Sequence, residues 1–247
     1  MKLYKKLLAA VLCTFVCSAE AAGDTIIVGT EPTFAPFGFI DSKTNEIVGF
    51  DIDLINAIGK EANLDIKIEP MQFDGLIPSL MSSSIDAVIS GLTITDERKK
   101  QVLFSDGYYT AAQDLMVRKE DLGKYTAMND LKGKAVCVQI GSAGADIAAG
   151  IPDARIVTFN TMVEAFMELK RKGCDASITG TPVNQYYLTS TGEKELAHVP
   201  ESAVNAKQLG IAVNQKNTAL VEKINSGLKK LRENGVYDEL YRKWFNQ

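Results

Sequence analysis

Residues 84–100, S-I-D-A-V-I-S-G-L-T-I-T-D-E-R-K-K, carry the side chains best suited to bind an anion. Arg98 has a planar guanidinium that can hold a carboxylate through two parallel hydrogen bonds. Ser90, Gly91 and Thr93 precede it and offer hydroxyls and backbone N–H groups. We therefore predict a receptor for the carboxylate of a small molecule. The alternative is that Arg98 is a solvated helix residue, like the two lysines that follow it.

A strand, a glycine turn and the start of a helix must position these residues. The apolar run over 85–89 has the length of a short buried strand, and Gly91 permits a tight turn. Thr95 can cap a helix, and a cation as close to its start as Arg98 opposes the helix dipole. An anion held between the guanidinium and free amides would explain that placement. Open α/β sheets also bind their ligands at the carboxyl ends of strands.

Residues 1–21 have the pattern of a cleaved secretory signal. Three lysines precede an apolar run over 7–16, which is too short to span a bilayer, and Ala19-Glu20-Ala21 has the small-x-small cleavage pattern. We expect a mature protein that begins near Ala22 and lies in a bacterial periplasm. Without the three lysines and Glu20, the 27 basic and 31 acidic residues become 24 and 30, a net charge of −6. This charge argues against nucleic acid or an anionic membrane as a partner.

Two cysteines remain in the mature chain, Cys137 and Cys174. An oxidising compartment permits a disulfide between them, but two small buried thiols are the slightly favoured interpretation. The single histidine, His198, falls in a stretch from 189 to 206 that is expected to be a polar loop. With so few ligands a metal site is not expected, and no other cofactor is indicated.

The order of the elements predicts an α/β protein with two lobes and mainly parallel sheets. Strands alternate with helices from Thr25 onward, and the same alternation starts again at Lys134 after a polar stretch. We place the first lobe at 22–113 and 207–247 and the second lobe at 114–206. I-D-A-V-I-S-G at 85–91 and C-D-A-S-I-T-G at 174–180 are similar, which is consistent with two similarly built lobes.

Several motifs together resemble the periplasmic solute-binding proteins for polar amino acids that feed ABC importers. They are F-A-P-F after the first strand, G-F-D-I-D-L, F-D-G-L-I-P-S-L, and G-L-T-I-T-D-E-R with F-S-D-G-Y-Y after it. The resemblance covers nearly all of the mature chain, in order. It implies two α/β lobes joined by two extended hinge strands, a ligand held in the cleft between them, and closure about the hinge.

The resemblance also implies roles for individual residues. Arg98, Thr93 and the Ser90-Gly91 backbone match the α-carboxylate clamp, and Phe34 and Phe73 match the aromatic walls. A second group matches positions around the rest of the ligand: Glu31, which approaches its amine or side chain, and Gln139, Ser142 and Ala143 of the second-lobe loop.

Gly180 departs from the family pattern. Members usually carry an aspartate there for the α-ammonium, and an ammonium without a counter-charge is costly to desolvate. Either Glu31 binds the ammonium, or the ligand is a carboxylate that lacks one. From Glu31 alone, a solvated acid is also possible.

The resemblance implies a monomeric binding protein that captures a polar amino acid and delivers it to a membrane permease of an ABC transporter. One alternative is an enzyme on the same scaffold, since cyclohexadienyl dehydratases resemble these proteins. The other is a sensor that binds a carboxylate and docks on a receptor. No acid–base pair favours the enzyme, and the chain has no G-x-S-x-G motif of a hydrolase.

Overall fold

A computed structural model describes residues 24–245, so the signal sequence expected at 1–21 lies outside the described residues. Thirteen strands are present in this part of the chain. They are β1 (Asp24–Thr30), β2 (Thr33–Phe34), β3 (Gly38–Ile40), β4 (Ile47–Val48), β5 (Leu64–Pro70), β6 (Ala87–Val88), β7 (Val102–Phe104), β8 (Tyr109–Arg118), β9 (Ala135–Gln139), β10 (Arg155–Phe159), β11 (Ala176–Gly180), β12 (Leu196–Leu209) and β13 (Ala212–Asn214).

Eight α-helices alternate with these strands. They are α1 (Phe50–Ala62), α2 (Phe73–Met81), α3 (Asp96–Lys99), α4 (Ala143–Ala149), α5 (Met162–Lys170), α6 (Thr181–Thr191), α7 (Thr218–Glu233) and α8 (Val236–Phe245). Within residues 24–245, no helix has the length and hydropathy needed to cross a membrane.

Two five-stranded sheets form the framework, as the alternating pattern predicts. The first has the order β5-β1-β6-β13-β7, and the second has the order β10-β9-β11-β8-β12. In each sheet three neighbouring strands pair in parallel. Two further strands extend one side of the sheet, each paired antiparallel to the strand before it. Helices cover both faces of each sheet, because parallel strands present apolar side chains on both sides. The expected two-lobed α/β fold is confirmed.

The chain passes between the sheets along β8 and β12. These two strands lie side by side and antiparallel, with Lys207 opposite Ala111 and Leu209 opposite Tyr109. At the same end, Thr93 forms an isolated bridge to Leu209. The crossing strands therefore bring the loop after β6 close to the point where the lobes join.

The sequence repeat corresponds to equivalent structure in the two lobes. Asp86, just before β6, accepts a hydrogen bond from the Ile27 N–H at 2.8 Å. Asp175, just before β11, accepts one from the Ala135 N–H at 2.9 Å. Each aspartate fixes its strand to the parallel neighbour, which explains why D-A-x-I-x-G occurs twice.

Local sequence signals account for two helices. α2 extends from Phe73 to Met81, and Thr161 and Glu164 form a capping box at the start of α5. The polar loop expected over 189–206 is wrong, because α6 continues to Thr191 and β12 begins at Leu196. The side chains of β12 are polar because many of them face solvent. Pairing with β8, and not a continuous apolar pattern, stabilises this strand.

The interpretation of the cysteines as free thiols is also wrong. Cys137 in β9 and Cys174 before β11 form a disulfide with their Cα atoms 5.8 Å apart. Both cysteines are buried in the cluster that packs α5 against the second sheet. The neighbouring strands β9 and β11 bring the two residues to the same height, which the sequence alone does not reveal.

Candidate ligand-binding site

Arg98 lies between the two lobes and is held from both sides. It belongs to α3, a single turn whose cap, Thr95, accepts the Arg98 N–H through Oγ1 at 3.2 Å. The guanidinium donates from Nη1 to the Thr93 carbonyl at 2.7 Å and from Nη2 to the Gly141 carbonyl at 2.9 Å. Thr93 precedes α3, whereas Gly141 follows β9 of the second sheet. Arg98 therefore links the two lobes directly.

The positive charge of Arg98 is largely buried. The residue is 8% exposed, which excludes the interpretation of a solvated helix residue. Across residues 24–245, no carboxylate lies within ion-pair distance of its guanidinium. Burial lowers the pKa of Arg98, and the charge of Asp146 partly opposes that change. A guanidinium in this state favours an anionic ligand.

A hydrogen bond from the loop after β6 to a side chain of α1 fixes the position of this loop. Gly91 has φ +56°, a left-handed conformation that favours glycine, and its N–H donates to Oδ2 of Asp51 at 2.6 Å. A Cβ on Gly91 would lie 2.8 Å from Cε1 of Phe34, so the ring also needs the glycine. Ser90 Oγ accepts the Glu31 N–H at 3.0 Å. Ser90, Gly91 and Glu31 thus form one connected edge of the first lobe.

Glu31 is buried between the lobes, so the alternative of a solvated acid is wrong. Only 2% of the residue is exposed. Its carboxylate accepts a hydrogen bond from Thr33 Oγ1 at 2.5 Å and a longer one from Gln139 Nε2 at 3.4 Å. Burial raises the pKa of Glu31, and these hydrogen bonds oppose the rise. All its hydrogen-bond donors in the described chain are uncharged, so a cation nearby would be stabilised.

The two predicted aromatic residues occupy different positions around these charges. Phe73, at the start of α2, lies with its ring centroid 5.8 Å from Arg98 Cζ. Phe34 stacks on Phe37 with ring centroids 5.9 Å apart, and it packs against core residues of both lobes. Both rings are half-buried. They can therefore cover the apolar part of a ligand held near Arg98.

The second lobe contributes the loop after β9. Gln139 is buried and donates from Nε2 to the Asn160 carbonyl at 2.9 Å in addition to Glu31. Ser142 caps α4 by accepting the Ala145 N–H at 3.2 Å, and Ala143 lines a cleft between the lobes. This cleft has a volume of about 470 Å³ and also includes Thr93.

Gly180 lies at the end of β11, opposite Gln113 of β8. Its backbone has φ −61° and ψ 133°, which any residue can adopt. Gln113 also lines the 470 Å³ cleft. The structure therefore brings all eleven predicted site residues to the facing sides of the lobes or their margin.

Sequence reasoning missed three residues of this region: Asp51, Gln113 and Gly141. The G-F-D-I-D-L motif contained Asp51, but its contact with Gly91 spans 40 residues of sequence. Gly141 contributes its backbone carbonyl, which every residue has, so the residue type does not mark this position. The position of Gln113 opposite Gly180 depends on the register between β8 and β11, which one sequence does not reveal.

His198, expected in a loop, instead lies on β12 and pairs with a buried carboxylate. Its Nε2 is 2.6 Å from Oδ2 of Asp114, which also accepts hydrogen bonds from Thr181 and Asn184. These contacts stabilise the start of α6. Among residues 24–245, no three His, Cys, Asp or Glu side chains are arranged to hold a metal ion.

Two lobes joined by paired strands, with buried charges of both signs between them, define a ligand-binding protein that encloses its ligand in an interlobe cleft. The family model described as bacterial extracellular solute-binding proteins, family 3, matches residues 26–247. The chain belongs to this family, and the resemblance found in the motifs is confirmed.

Relatives and solved structures agree over nearly the whole length. ABC transporter arginine-binding protein 1 of Escherichia coli strain K12 is 36% identical, over 98% of this chain and 99% of that protein. An ancestral arginine-binding protein bound to arginine has a TM-score of 0.84 and 41% identity, covering 91% of this chain and 99% of that one. The arginine-, lysine-, histidine-binding protein ArtJ of Geobacillus stearothermophilus also has a TM-score of 0.84, with 36% identity, covering 91% and 96%. These proteins support a role in binding and transporting a polar amino acid.

Proposed function

We propose that this chain is a periplasmic solute-binding protein that captures an amino acid in its interlobe cleft and delivers it to the permease of an ABC importer. The ligand's α-carboxylate binds Arg98. The observation that carries the proposal is a buried guanidinium whose hydrogen-bond acceptors, in residues 24–245, are the carbonyls of Thr93 and Gly141. A buried cation without a counter-charge is costly, and a bound carboxylate would offset that cost.

The ligand's side chain is cationic and lies toward Glu31. This buried carboxylate receives hydrogen bonds from Thr33 and Gln139, which are both neutral donors. A guanidinium or ammonium group would supply the missing positive charge. The relatives named for arginine, lysine and histidine support this side-chain class.

Closure of the two lobes provides a signal that the permease can recognise. Arg98 joins the lobes through Gly141, and Gln139 approaches Glu31 from the opposite lobe. A ligand that binds Arg98 and Glu31 therefore contacts the residues that join the lobes. Binding and closure are coupled in this arrangement, and the protein works as a monomer with one ligand.

A thermal-shift screen of the mature protein tests the proposal. The protein is first unfolded and refolded to remove any ligand retained through purification. A ligand that binds only the folded state raises the melting temperature. We expect large shifts with L-arginine, L-lysine or L-histidine, and none with acidic amino acids. Shifts only with carboxylates that lack an amino group would overturn the amino-acid assignment and favour the enzyme or the carboxylate sensor.

A further inference from the structure

Gln113 is a largely buried polar residue that lines the interlobe cleft. It is 8% exposed, although it lies in the middle of a strand. Among residues 24–245, its side-chain amide makes no hydrogen bond. Its amide atoms are not among the enclosed, unpaired polar atoms of the described chain, so they are accessible from a cleft and can bond to a ligand there.

The amide lines a cleft that Thr93, one residue of the carboxylate clamp, also lines. Gln113, Thr93 and Ala143 line the same 470 Å³ space. Thr93 is 6% exposed, and its hydroxyl also makes no hydrogen bond within the described chain. Two polar groups without partners in residues 24–245 therefore line the same cleft as Asp146, whose charge acts on Arg98.

Gly180 leaves room in front of this amide. The two residues are paired across β8 and β11, and a Cβ built on Gly180 would lie 3.8 Å from Nε2 of Gln113. The other nearest atoms, in Pro182 and Val183, are at 3.8 and 4.0 Å. Because its φ of −61° does not require glycine, the missing side chain matters for the space it leaves.

No carboxylate of this region is free to take the same role. Asp114, the next residue of β8, points to the opposite face and is occupied by Thr181, Asn184 and His198. Asp146 lines the cleft but is exposed, so water screens its charge. At this end of the cleft, the buried acceptor is the neutral amide of Gln113.

We propose that Gln113 determines how the site recognises the ligand's α-ammonium: its amide oxygen accepts the hydrogen bond in the space that Gly180 leaves open. This inference rests on the proposed amino-acid function. A half-turn of the terminal amide exchanges its oxygen and nitrogen, so the oxygen can face the ligand. With Glu31 engaged by the side chain, the site then binds the α-ammonium through an uncharged group.

Calorimetric titrations with L-arginine and with 5-guanidinopentanoate, which lacks only the α-amino group, test this inference. In Gln113→Leu, we expect affinity for L-arginine to fall about tenfold or more, because a hydrogen bond to a charged group is lost. Affinity for the desamino acid should change little. Gln113→Glu and Gly180→Asp should both increase the preference for L-arginine, since each adds a carboxylate where the ammonium binds.

Gln101→Leu, the same substitution at an exposed position, is the matched control. Melting temperatures without ligand show whether each variant folds, and Gln113→Glu keeps the inference testable if Gln113→Leu does not. Equal losses for both ligands, or no loss, in Gln113→Leu would overturn the role of Gln113. If the wild type binds neither ligand, the proposed function itself fails, so the two failures are distinguishable.

Discussion

Arg98 and Glu31 are the two buried charges between the lobes that the described chain leaves without ionic partners. Each is hydrogen-bonded by neutral groups that fix its position: two carbonyls for Arg98, and Thr33 with Gln139 for Glu31. Such groups orient a charge without neutralising it. A ligand with a carboxylate at one end and a cation at the other would satisfy both, which explains why burial is tolerated.

Acidification should weaken binding of a cationic ligand through Glu31. Burial raises the pKa of Glu31 in the free protein, and a bound cation lowers it again. Binding therefore releases a proton near the raised pKa, and affinity falls as the pH drops through it. Below that pKa the decline approaches about tenfold per pH unit, measurable by calorimetry with L-arginine between pH 4 and 8.

Glu31→Gln should remove this dependence. The substitution keeps the size of the side chain and removes its charge, so affinity for L-arginine should fall by about 2–5 kcal/mol and no longer respond to acid in this way. Glu46→Gln, at an exposed position, is the control. An unchanged pH profile in Glu31→Gln would contradict the pairing of Glu31 with the ligand's cation.

At the scale of elements, α1 holds the loop that leads to Arg98. Asp51, in the first turn of α1, is fully buried and accepts the Gly91 N–H. Burial raises the pKa of Asp51 to about 7. The G-F-D-I-D-L motif therefore connects a core helix to the backbone that borders the carboxylate clamp.

Asp51 should make the folded protein less stable as the pH rises toward neutrality. Between its ordinary value of 3.8 and about 7, the folded state retains a proton that the unfolded state has lost. The free energy of unfolding should fall by at most about 1.4 kcal/mol per pH unit across this window. Asp51→Asn cannot ionise and can still accept the Gly91 N–H.

Urea unfolding of both proteins from pH 4 to 7.5 measures the effect. We expect the difference in unfolding free energy to shift steadily in favour of Asp51→Asn as the pH rises. Parallel curves would show that Asp51 does not titrate in this range in the folded state.

The Cys137–Cys174 disulfide should stabilise the second lobe without affecting ligand contacts. It closes a loop with a sequence separation of 37 residues, for which constraint of the unfolded chain predicts about 4 kcal/mol. The double variant Cys137→Ala, Cys174→Ala should melt at a lower temperature, and its affinity for L-arginine should change little. Calorimetry of the oxidised and reduced wild type provides the comparison, and equal melting temperatures would exclude a stabilising role.

Sequence patterns predicted the two-lobed α/β fold, because apolar runs and helix signals are local. The limits of α2 and the capping box of α5 follow from residues close in sequence. The strand β12 was missed because its side chains are polar, and its stability comes from long antiparallel pairing with β8. Local patterns do not contain that pairing.

The candidate site also contains some residues that the sequence predicted and others that it missed. Arg98 was recognised from its unusual place near a helix start, and most other positions came from the family resemblance. Gln113 and the disulfide depend on which residues face each other across neighbouring strands, so one chain does not reveal them. Gly141 was missed because it contributes only a backbone carbonyl.

At the scale of the whole molecule, Arg98 serves both ligand binding and contact between the lobes. Its Nη1 bonds to the loop of the first lobe and its Nη2 to Gly141 of the second. A carboxylate bound to the guanidinium would lie at the point where the lobes meet. Arg98 is therefore the residue that we expect to recognise the ligand's carboxylate.

Calorimetric titration of the refolded wild type and of Arg98→Ala measures the contribution of Arg98 to carboxylate binding. The two ligands are L-arginine and agmatine, the amine that lacks only the carboxylate. We expect the wild type to prefer L-arginine strongly and Arg98→Ala to lose about 2–5 kcal/mol of binding to it, with little change for agmatine. Equal binding of both ligands by the wild type, or near-normal affinity of Arg98→Ala for L-arginine, would contradict the claim that Arg98 holds the carboxylate.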